Sequence, residues 1–163
     1  MTNHYDYYEN YAITPKMVCD PVNNPEDAKY ADKDDSLLPS RIIVNPTDSR
    51  YDAKIQLQVT TNYTVTRTPG GRIFLSYFSG GAHADEAAGN WCMVISSDDE
   101  GHTFQNRFVI EPSNEKTTRT FDTYLWLDES GKLWVFWSQG YLTMDGRLGV
   151  WVSCCENPVE DVM

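Results

Sequence analysis

Two groups of polar side chains have the residue types and the spacing for chemistry. In the first, Asp85 and Glu86 are adjacent acids that follow His83, in a loop before an apolar run that begins at Trp91. A carboxylic acid whose pKa is raised in a partly desolvated cleft can donate a proton to a leaving group. The simpler interpretation is a pair of solvated loop acids, and the sequence leaves both open.

The second group consists of Arg119 and Asp122, which are separated by two residues. A carboxylate can accept hydrogen bonds from two hydroxyl groups, and the planar guanidinium of arginine suits an anion. Gln139 could extend the same surface. The alternative is that Arg119 and Asp122 form a structural pair at a loop, and that Gln139 is a core or turn residue.

The composition limits the classes of partner. The chain has 163 residues and a formal net charge of -11, so nucleic acids and anionic membranes should repel it. The N-terminal residues lack the basic and apolar regions of a signal peptide, and no apolar run reaches the roughly 18 residues of a membrane span. We therefore expect a cytoplasmic protein that contacts neither nucleic acid nor membrane.

The sequence predicts no metal or organic cofactor. The three histidines are scattered, the four cysteines match no zinc-binding spacing, and no phosphate-binding glycine motif is present. The cysteines are interpreted as free thiols, and the adjacent Cys154 and Cys155 should point to opposite faces of a strand.

Hydrophobic patterning predicts an all-β chain. Residues 1–40 are polar, acidic and irregular, and strand signals then recur about every ten residues through the remaining 41–163. The first three predicted strands are 41–44, 54–59 and 63–67. Two segments, 64–78 and 123–137, share the order of strand, glycine turn and aromatic strand, about 60 residues apart. The expectation is two partial four-stranded sheets that meet at an angle.

One turn has a distinctive pattern. The segment 97–104 follows an apolar run and reads S-x-D-x-G-x-T-F. The short acceptor side chains of Ser97 and Asp99 can bond nearby backbone N–H groups, and Gly101 can adopt a positive φ. Thr103 and Phe104 should restart a strand, with the Phe104 ring turned into the sheet.

This turn resembles the Asp-box of sialidase-like, BNR-repeat β-propellers. Three further stretches, 67–81, 90–99 and 119–137, are similar to those propellers in their order and spacing. The resemblance implies a partial propeller of about two blades, and the N-terminal part of a longer enzyme or a truncated product, since a propeller closes with at least four blades. A small self-contained β-sandwich is the alternative fold.

The resemblance also implies roles for the candidate residues. An acid in the loop of Asp85 and Glu86 would protonate a glycosidic oxygen, and Arg119, Asp122, His83 and Gln139 would contact a carbohydrate substrate. The arginine–isoleucine–proline motif of true sialidases is missing near residues 61–64. Sialic acid specificity is therefore not implied, and the chain alone should be inactive.

Three functions remain open at this level. The first is a sialidase-like glycoside hydrolase, such as an exo-α-sialidase or a related exo-glycosidase. The second is a polysaccharide lyase or a non-sialic glycosidase on the same propeller, with His83 or a tyrosine as acid or base. The third is a non-catalytic carbohydrate-binding propeller.

Overall fold

The computed structural model describes residues 35–52, 58–80, 87–141 and 148–158. Within these ranges the fold is all-β, with two antiparallel sheets and two single-turn 3-10 helices, Asp35–Leu37 and Ser49–Tyr51. The eight strands are β1 (Arg41–Val44), β2 (Gln58–Arg67), β3 (Ile73–Gly80), β4 (Asn90–Ser97), β5 (Gln105–Glu111), β6 (Thr118–Leu127), β7 (Leu133–Tyr141) and β8 (Leu148–Cys155). The described part of the chain contains no helix that is both long and apolar enough to cross a membrane.

The strands divide unequally between the sheets. The first sheet has five strands in the order β1-β5-β4-β3-β2, and the second has three in the order β6-β7-β8. The expected pair of four-stranded sheets is therefore wrong in its count. The physical reason is that β1 pairs along its whole length with β5, from Arg41 opposite Glu111 to Val44 opposite Phe108. Pairing at this outer edge gives the backbone groups of β1 hydrogen-bond partners.

The two sheets repeat one another. The turn between Arg67 and Ile73 corresponds to the turn between Leu127 and Leu133. Both ends of the turn are therefore shifted by 60 residues. The pairing of Gly80 with Asn90 is matched by that of Gly140 with Leu148. The sequence alignment of 64–78 with 123–137 is one residue off, and a one-residue slip moves every side chain to the opposite face of its sheet.

Each sheet has an inner face, toward the other sheet, and an outer face. The hydrophobic core between the inner faces includes Phe74, Phe78, Cys92, Val94, Phe108 and Ile110 from the first sheet, and Leu125, Leu133, Val135, Trp137 and Cys155 from the second. Cys155 belongs to the buried core and Cys154 is only partly buried, which confirms that the adjacent cysteines point opposite ways. Cys92, Cys154 and Cys155 are free thiols.

Two strands differ from the sequence prediction at the end nearest the long connections. β6 begins at Thr118, five residues before the predicted start at residue 123. Where two strands were expected in the range 54–67, a single strand, β2, runs from Gln58 to Arg67 with an irregularity between Val59 and Thr64. The expected strand over 54–59 lies mostly outside the described residues. The irregularities interrupt the alternation on which strand recognition depends.

Candidate functional site

The connections divide between two ends of the sheets. At one end, here called the turn end, tight turns join β2 to β3, β4 to β5 and β6 to β7. At the other, the loop end, lie the segments between β3 and β4, between β5 and β6, and between β7 and β8. Asp85, Glu86 and His83 belong to the first of these segments and lie outside the described residues. Function concentrates in loops carried on a rigid scaffold, so the loop end is the place to look for a site.

Buried hydrogen bonds fix both ends of the segment that carries the predicted acids. The Asn90 side-chain amide donates to the carbonyl of Gly80 at 2.7 Å, and its Oδ1 accepts the backbone N–H of Ala87 at 2.6 Å. Gly89 N–H donates to the carbonyl of Thr118 at 2.8 Å. The chain therefore leaves β3 and enters β4 beside the start of β6, close in sequence to Arg119.

Asp122 lies on a bulge in β6. Phe121 pairs with Ser138 and Tyr124 with Phe136, so Asp122 and Thr123 together lie opposite Trp137. Asp122 is exposed and has φ of 50°, in the left-handed region that non-glycine residues rarely adopt. It is the fifth residue of the strand, and the expectation of a strand start is wrong. Bulges next to active sites often redirect a side chain, so this backbone marks a candidate binding residue.

The bulge lies where the two sheets meet. The hydroxyl of Thr64 on β2 accepts the backbone N–H of Leu125 at 2.9 Å and lies 3.4 Å from the carbonyl of Thr123. Tyr63, next to Thr64, has an exposed ring. Because neighbouring residues of a strand point to opposite faces, Thr64 makes the inter-sheet contact and the ring of Tyr63 lies on the other face of β2. The exposed carboxylate of Asp122 is therefore the candidate binding group at this contact.

Arg119 is near Asp122 in the sequence but has a different environment. Its side chain is fully buried, and its guanidinium carbon lies 4.1 Å from the centroid of the Phe121 ring. The planar cation thus stacks on an aromatic face. The two residues share β6, but in this structure Asp122 alone of the pair offers surface to a ligand.

Gln139 is buried and fully hydrogen-bonded to the protein. Its carbonyl oxygen accepts from the Ser40 hydroxyl at 2.9 Å and from the Ser113 N–H at 2.8 Å. Its amide nitrogen donates to the carbonyls of Ser36 and Leu38, at 3.0 and 2.7 Å. A glutamine amide has two donor and two acceptor positions, and all four are occupied. In this structure the side chain holds residues 36–40 against β7.

The predicted Asp-box turn is confirmed as a hairpin between β4 and β5. Asp99 Oδ1 accepts the Thr103 N–H at 2.8 Å, and the Ser97 hydroxyl accepts the Gly101 N–H at 2.8 Å. Gly101 has φ of 91°. The side-chain and backbone hydrogen bonds of Thr103 lower the pKa of Asp99 to about 2. The predicted burial of Phe104 is wrong: it precedes β5, and its side chain is 42% exposed.

A second acidic turn, between β6 and β7, is built in a related way. Asp128 Oδ2 accepts the indole N–H of Trp134 at 2.8 Å, and Oδ1 accepts from the hydroxyl of Ser130 and the N–H of Lys132. These hydrogen bonds, that of Trp134 first, lower the pKa of Asp128 to about 2. Both acidic turns lie at the turn end, away from Asp122, and we assign them a structural role.

A buried acid at the outer edge of the first sheet was not identified from the sequence. Glu111 contacts the guanidinium groups of Arg41 and Arg50 and accepts the hydroxyl of Tyr51. Burial first, and then the neighbouring carboxylate, raises the pKa of Tyr51 to about 12. The cluster fastens residues 48–52 over the outer face of the first sheet. Glu111 lies 60 to 70 positions from its partners in the chain, so no local sequence pattern indicates this cluster.

Within the described ranges, no three His, Cys, Asp or Glu side chains converge as metal ligands. The sequence matches no protein-family model, and a search of curated proteins finds no relative. The case for a function therefore depends on the exposed Asp122 at the β6 bulge, where the sheets meet, and on the loop end of the sheets.

Proposed function

We propose that the two sheets are consecutive blades of a sialidase-like β-propeller, and that the loop end of the blades binds and hydrolyses a glycoside. The observation that carries the proposal is Asp122, an exposed carboxylate held with positive φ on a strand bulge where the sheets meet. Backbone strain of this kind persists where surrounding structure imposes it, and it concentrates at binding sites.

The repeat supports the propeller assignment. Both sheets have the same turn geometry, with Gly71 at φ of 100° and Gly131 at φ of 86°. Both sheets have a strand irregularity beside the inter-sheet contact. In both, an ion pair also joins the end of the turn to the residue directly after a later strand, β4 in the first sheet and β8 in the second. In the first sheet, Arg72 Nε lies 2.6 Å from an Asp98 carboxylate oxygen; in the second, Lys132 Nζ lies 3.2 Å from Glu156. Repetition of one four-stranded unit around an axis defines a propeller.

The proposed chemistry assigns one task to each group. Asp122 accepts hydrogen bonds from substrate hydroxyls. Glu86 or Asp85, in the segment anchored by Asn90, protonates the leaving glycosidic oxygen. No cofactor is required for this reaction, and the acidic protein acts on a carbohydrate in the cytoplasm.

The binding role of Asp122 is tested by a substitution that removes the charge of its side chain. Asp122→Asn keeps the size of the side chain and tolerates positive φ, because asparagine also visits the left-handed region. We expect Asp122→Asn to weaken binding of the recognised glycan at least tenfold, measured by calorimetry after a glycan-array screen, without lowering the melting temperature. Unchanged glycan affinity would contradict the assignment.

The acid is tested separately. Loss of a general acid typically costs about 10²–10⁴ in rate. In the complete propeller, we expect either Glu86→Gln or Asp85→Asn, but not both, to lower kcat by that factor on cleavable glycosides while glycan binding persists. Wild-type turnover by both variants on every cleavable glycoside would contradict the acid assignment and leave the binding role of Asp122 untouched.

One observation favours a second candidate, a non-catalytic carbohydrate-binding propeller. Arg119 is buried on Phe121 and the amide of Gln139 is fully occupied by protein groups, so two of the predicted substrate contacts serve the fold. Glycan binding that depends on Asp122, with no turnover of any glycoside, would select this candidate.

A further inference from the structure

The outer face of the second sheet is apolar and uncovered. Val150 is 74% exposed and Trp126 is 51% exposed. Strand pairing places further apolar side chains beside them, and the exposed residues of this face in the described strands include no Asp, Glu, Lys or Arg. Arg119, which strand pairing sets opposite Gly140 on the same side, is buried against Phe121. The members of this face are Tyr124, Trp126, Trp134, Phe136, Ser138, Val150, Val152 and Cys154. A contiguous apolar patch of this kind marks an interaction surface.

The repeat shows how this face packs. At equivalent positions in the first sheet stand Thr64, Thr66, Phe74, Ser76, Phe78, Cys92, Val94 and Ser96. These residues form the inner face of the first sheet, whose apolar members are buried against the second sheet. The outer face of the second sheet is therefore equivalent to the inner face of the first sheet. In the first sheet, that face is covered by a neighbouring sheet.

The same chain also carries the complementary surface. The inner face of the second sheet includes Leu125, Leu133, Val135 and Trp137, all buried. The equivalent residues on the outer face of the first sheet are Val65, Ile73, Leu75 and Tyr77. All four are apolar and none is fully buried; Val65 is 61% exposed. Tyr51 covers the neighbouring outer part of this face at Met93 and Val109, and Tyr77 packs against that cluster, so Val65, Ile73 and Leu75 remain the open positions.

We propose that the outer face of the second sheet binds the outer face of the first sheet of another copy of this chain. The contact repeats the sheet-on-sheet packing found within each copy. A head-to-tail contact of this kind continues from copy to copy until it closes a ring. This inference does not depend on the proposed glycosidase activity.

Charge sets the conditions for assembly. Each copy has a net charge of -11, so copies repel one another at low ionic strength, and salt screens this repulsion with a Debye length of about 8 Å at 0.15 M. The interface itself is apolar and is weakened little by salt. We therefore expect assembly to increase as salt is raised, the opposite of an assembly held by ion pairs.

The test uses three matched substitutions in the whole chain, followed by sedimentation velocity. Val150→Lys places a charge on the outer face of the second sheet, and Val65→Lys on that of the first. Val44→Lys makes the same change at an exposed end of β1, away from both faces. We expect the wild type and Val44→Lys to assemble into oligomers, and each of the other two variants to be monomeric at the same concentration.

Mixing the two monomeric variants is the decisive step. Val150→Lys retains an intact outer face on its first sheet, and Val65→Lys retains one on its second, so the mixture should form a dimer that cannot grow. A face that pairs with itself would leave Val65→Lys assembled like the wild type and would overturn the proposal. A monomeric wild type at every salt concentration, or a mixture that stays monomeric, would also overturn it.

Cys154 provides a measurement that needs no variant, in case either lysine substitution unfolds the chain. Its thiol lies on the proposed interface, paired across strands with Trp134. In the wild type, the rate of reaction of Cys154 with a thiol reagent should fall at least tenfold as concentration and salt are raised, while Cys92 and Cys155 stay buried throughout. A Cys154 rate that does not depend on concentration would overturn the proposal.

Discussion

At the scale of single residues, two glycines show how conformation and space act separately. Gly131 has φ of 86° in the turn between β6 and β7, and a Cβ there would meet no atom within 4 Å. Gly80 has φ of 79° at the end of β3, and a Cβ there would overlap the ring of Trp91. Both glycines need the left-handed region, but only Gly80 also needs the absence of a side chain.

We predict that alanine at the two positions has unequal effects. Gly131→Ala should lower the free energy of unfolding by about 1–2 kcal/mol, the cost of an L-residue in the left-handed region. Gly80→Ala should lower it by a further 1–3 kcal/mol or so, because the Trp91 ring must move. Urea denaturation of both variants measures the difference. Equal losses in the free energy of unfolding would show that the Trp91 ring moves aside with no energetic penalty.

At the scale of elements, the two acidic turns make hairpin stability depend on pH. The pKa values of Asp99 and Asp128 are about 2 in the folded chain, below the value of about 3.9 for an unfolded aspartate. A group whose pKa is lower in the folded state contributes stability above its unfolded pKa. That contribution is lost as pH falls from about 4 to 2, when the carboxylate is protonated.

Asp99→Asn and Asp128→Asn should therefore be more damaging at neutral than at acidic pH. We predict that each variant unfolds at a lower urea concentration than the wild type at pH 6, and that the gap narrows as pH is lowered to 2.5. Glu100→Gln, at the exposed tip of the same hairpin as Asp99, is the control. A gap that stays constant with pH would mean that the carboxylate charge is not what holds the turn.

Local patterns predicted the elements better than their junctions. β1 was predicted at its observed bounds, and the Asp-box hairpin was predicted down to the acceptor role of Asp99, because short-range periodicity and turn chemistry determine both. The interpretation of Gln139 as a core residue is confirmed. The bulge at Asp122 and the burial of Arg119 depend on partners in other strands. A single sequence holds no information on those partners, so these environments could not be predicted.

At the scale of the whole molecule, one buried carboxylate joins three parts of the chain. Glu111 on β5 contacts Arg41 on β1 and, beyond the strand, Arg50 and Tyr51. It therefore holds the outer strand and the 48–52 segment on the first sheet. Glu115 also approaches Arg50, at 3.4 Å, but it is exposed and makes no comparable set of contacts.

We predict that Glu111→Gln lowers the free energy of unfolding by about 1–3 kcal/mol, through the buried hydrogen bonds that it disturbs. This is less than the roughly 3–5 kcal/mol of a fully buried pair, because the exposed arginines regain water. Glu115→Gln should change it by less than about 0.5 kcal/mol. Chemical denaturation of both variants provides the comparison. A loss at Glu115 as large as that at Glu111 would contradict the central place of the buried acid.

The hydrogen bonds of Asn90 have a consequence for how this protein can change over evolutionary time. They fix the points at which the chain leaves β3 and enters β4 without reference to what lies between them. Lengthening such a connection costs little, since each doubling adds only about 0.6 kcal/mol of closure entropy. A lineage can therefore exchange this stretch as a unit, while the two sheets beneath it keep their sequence and their packing.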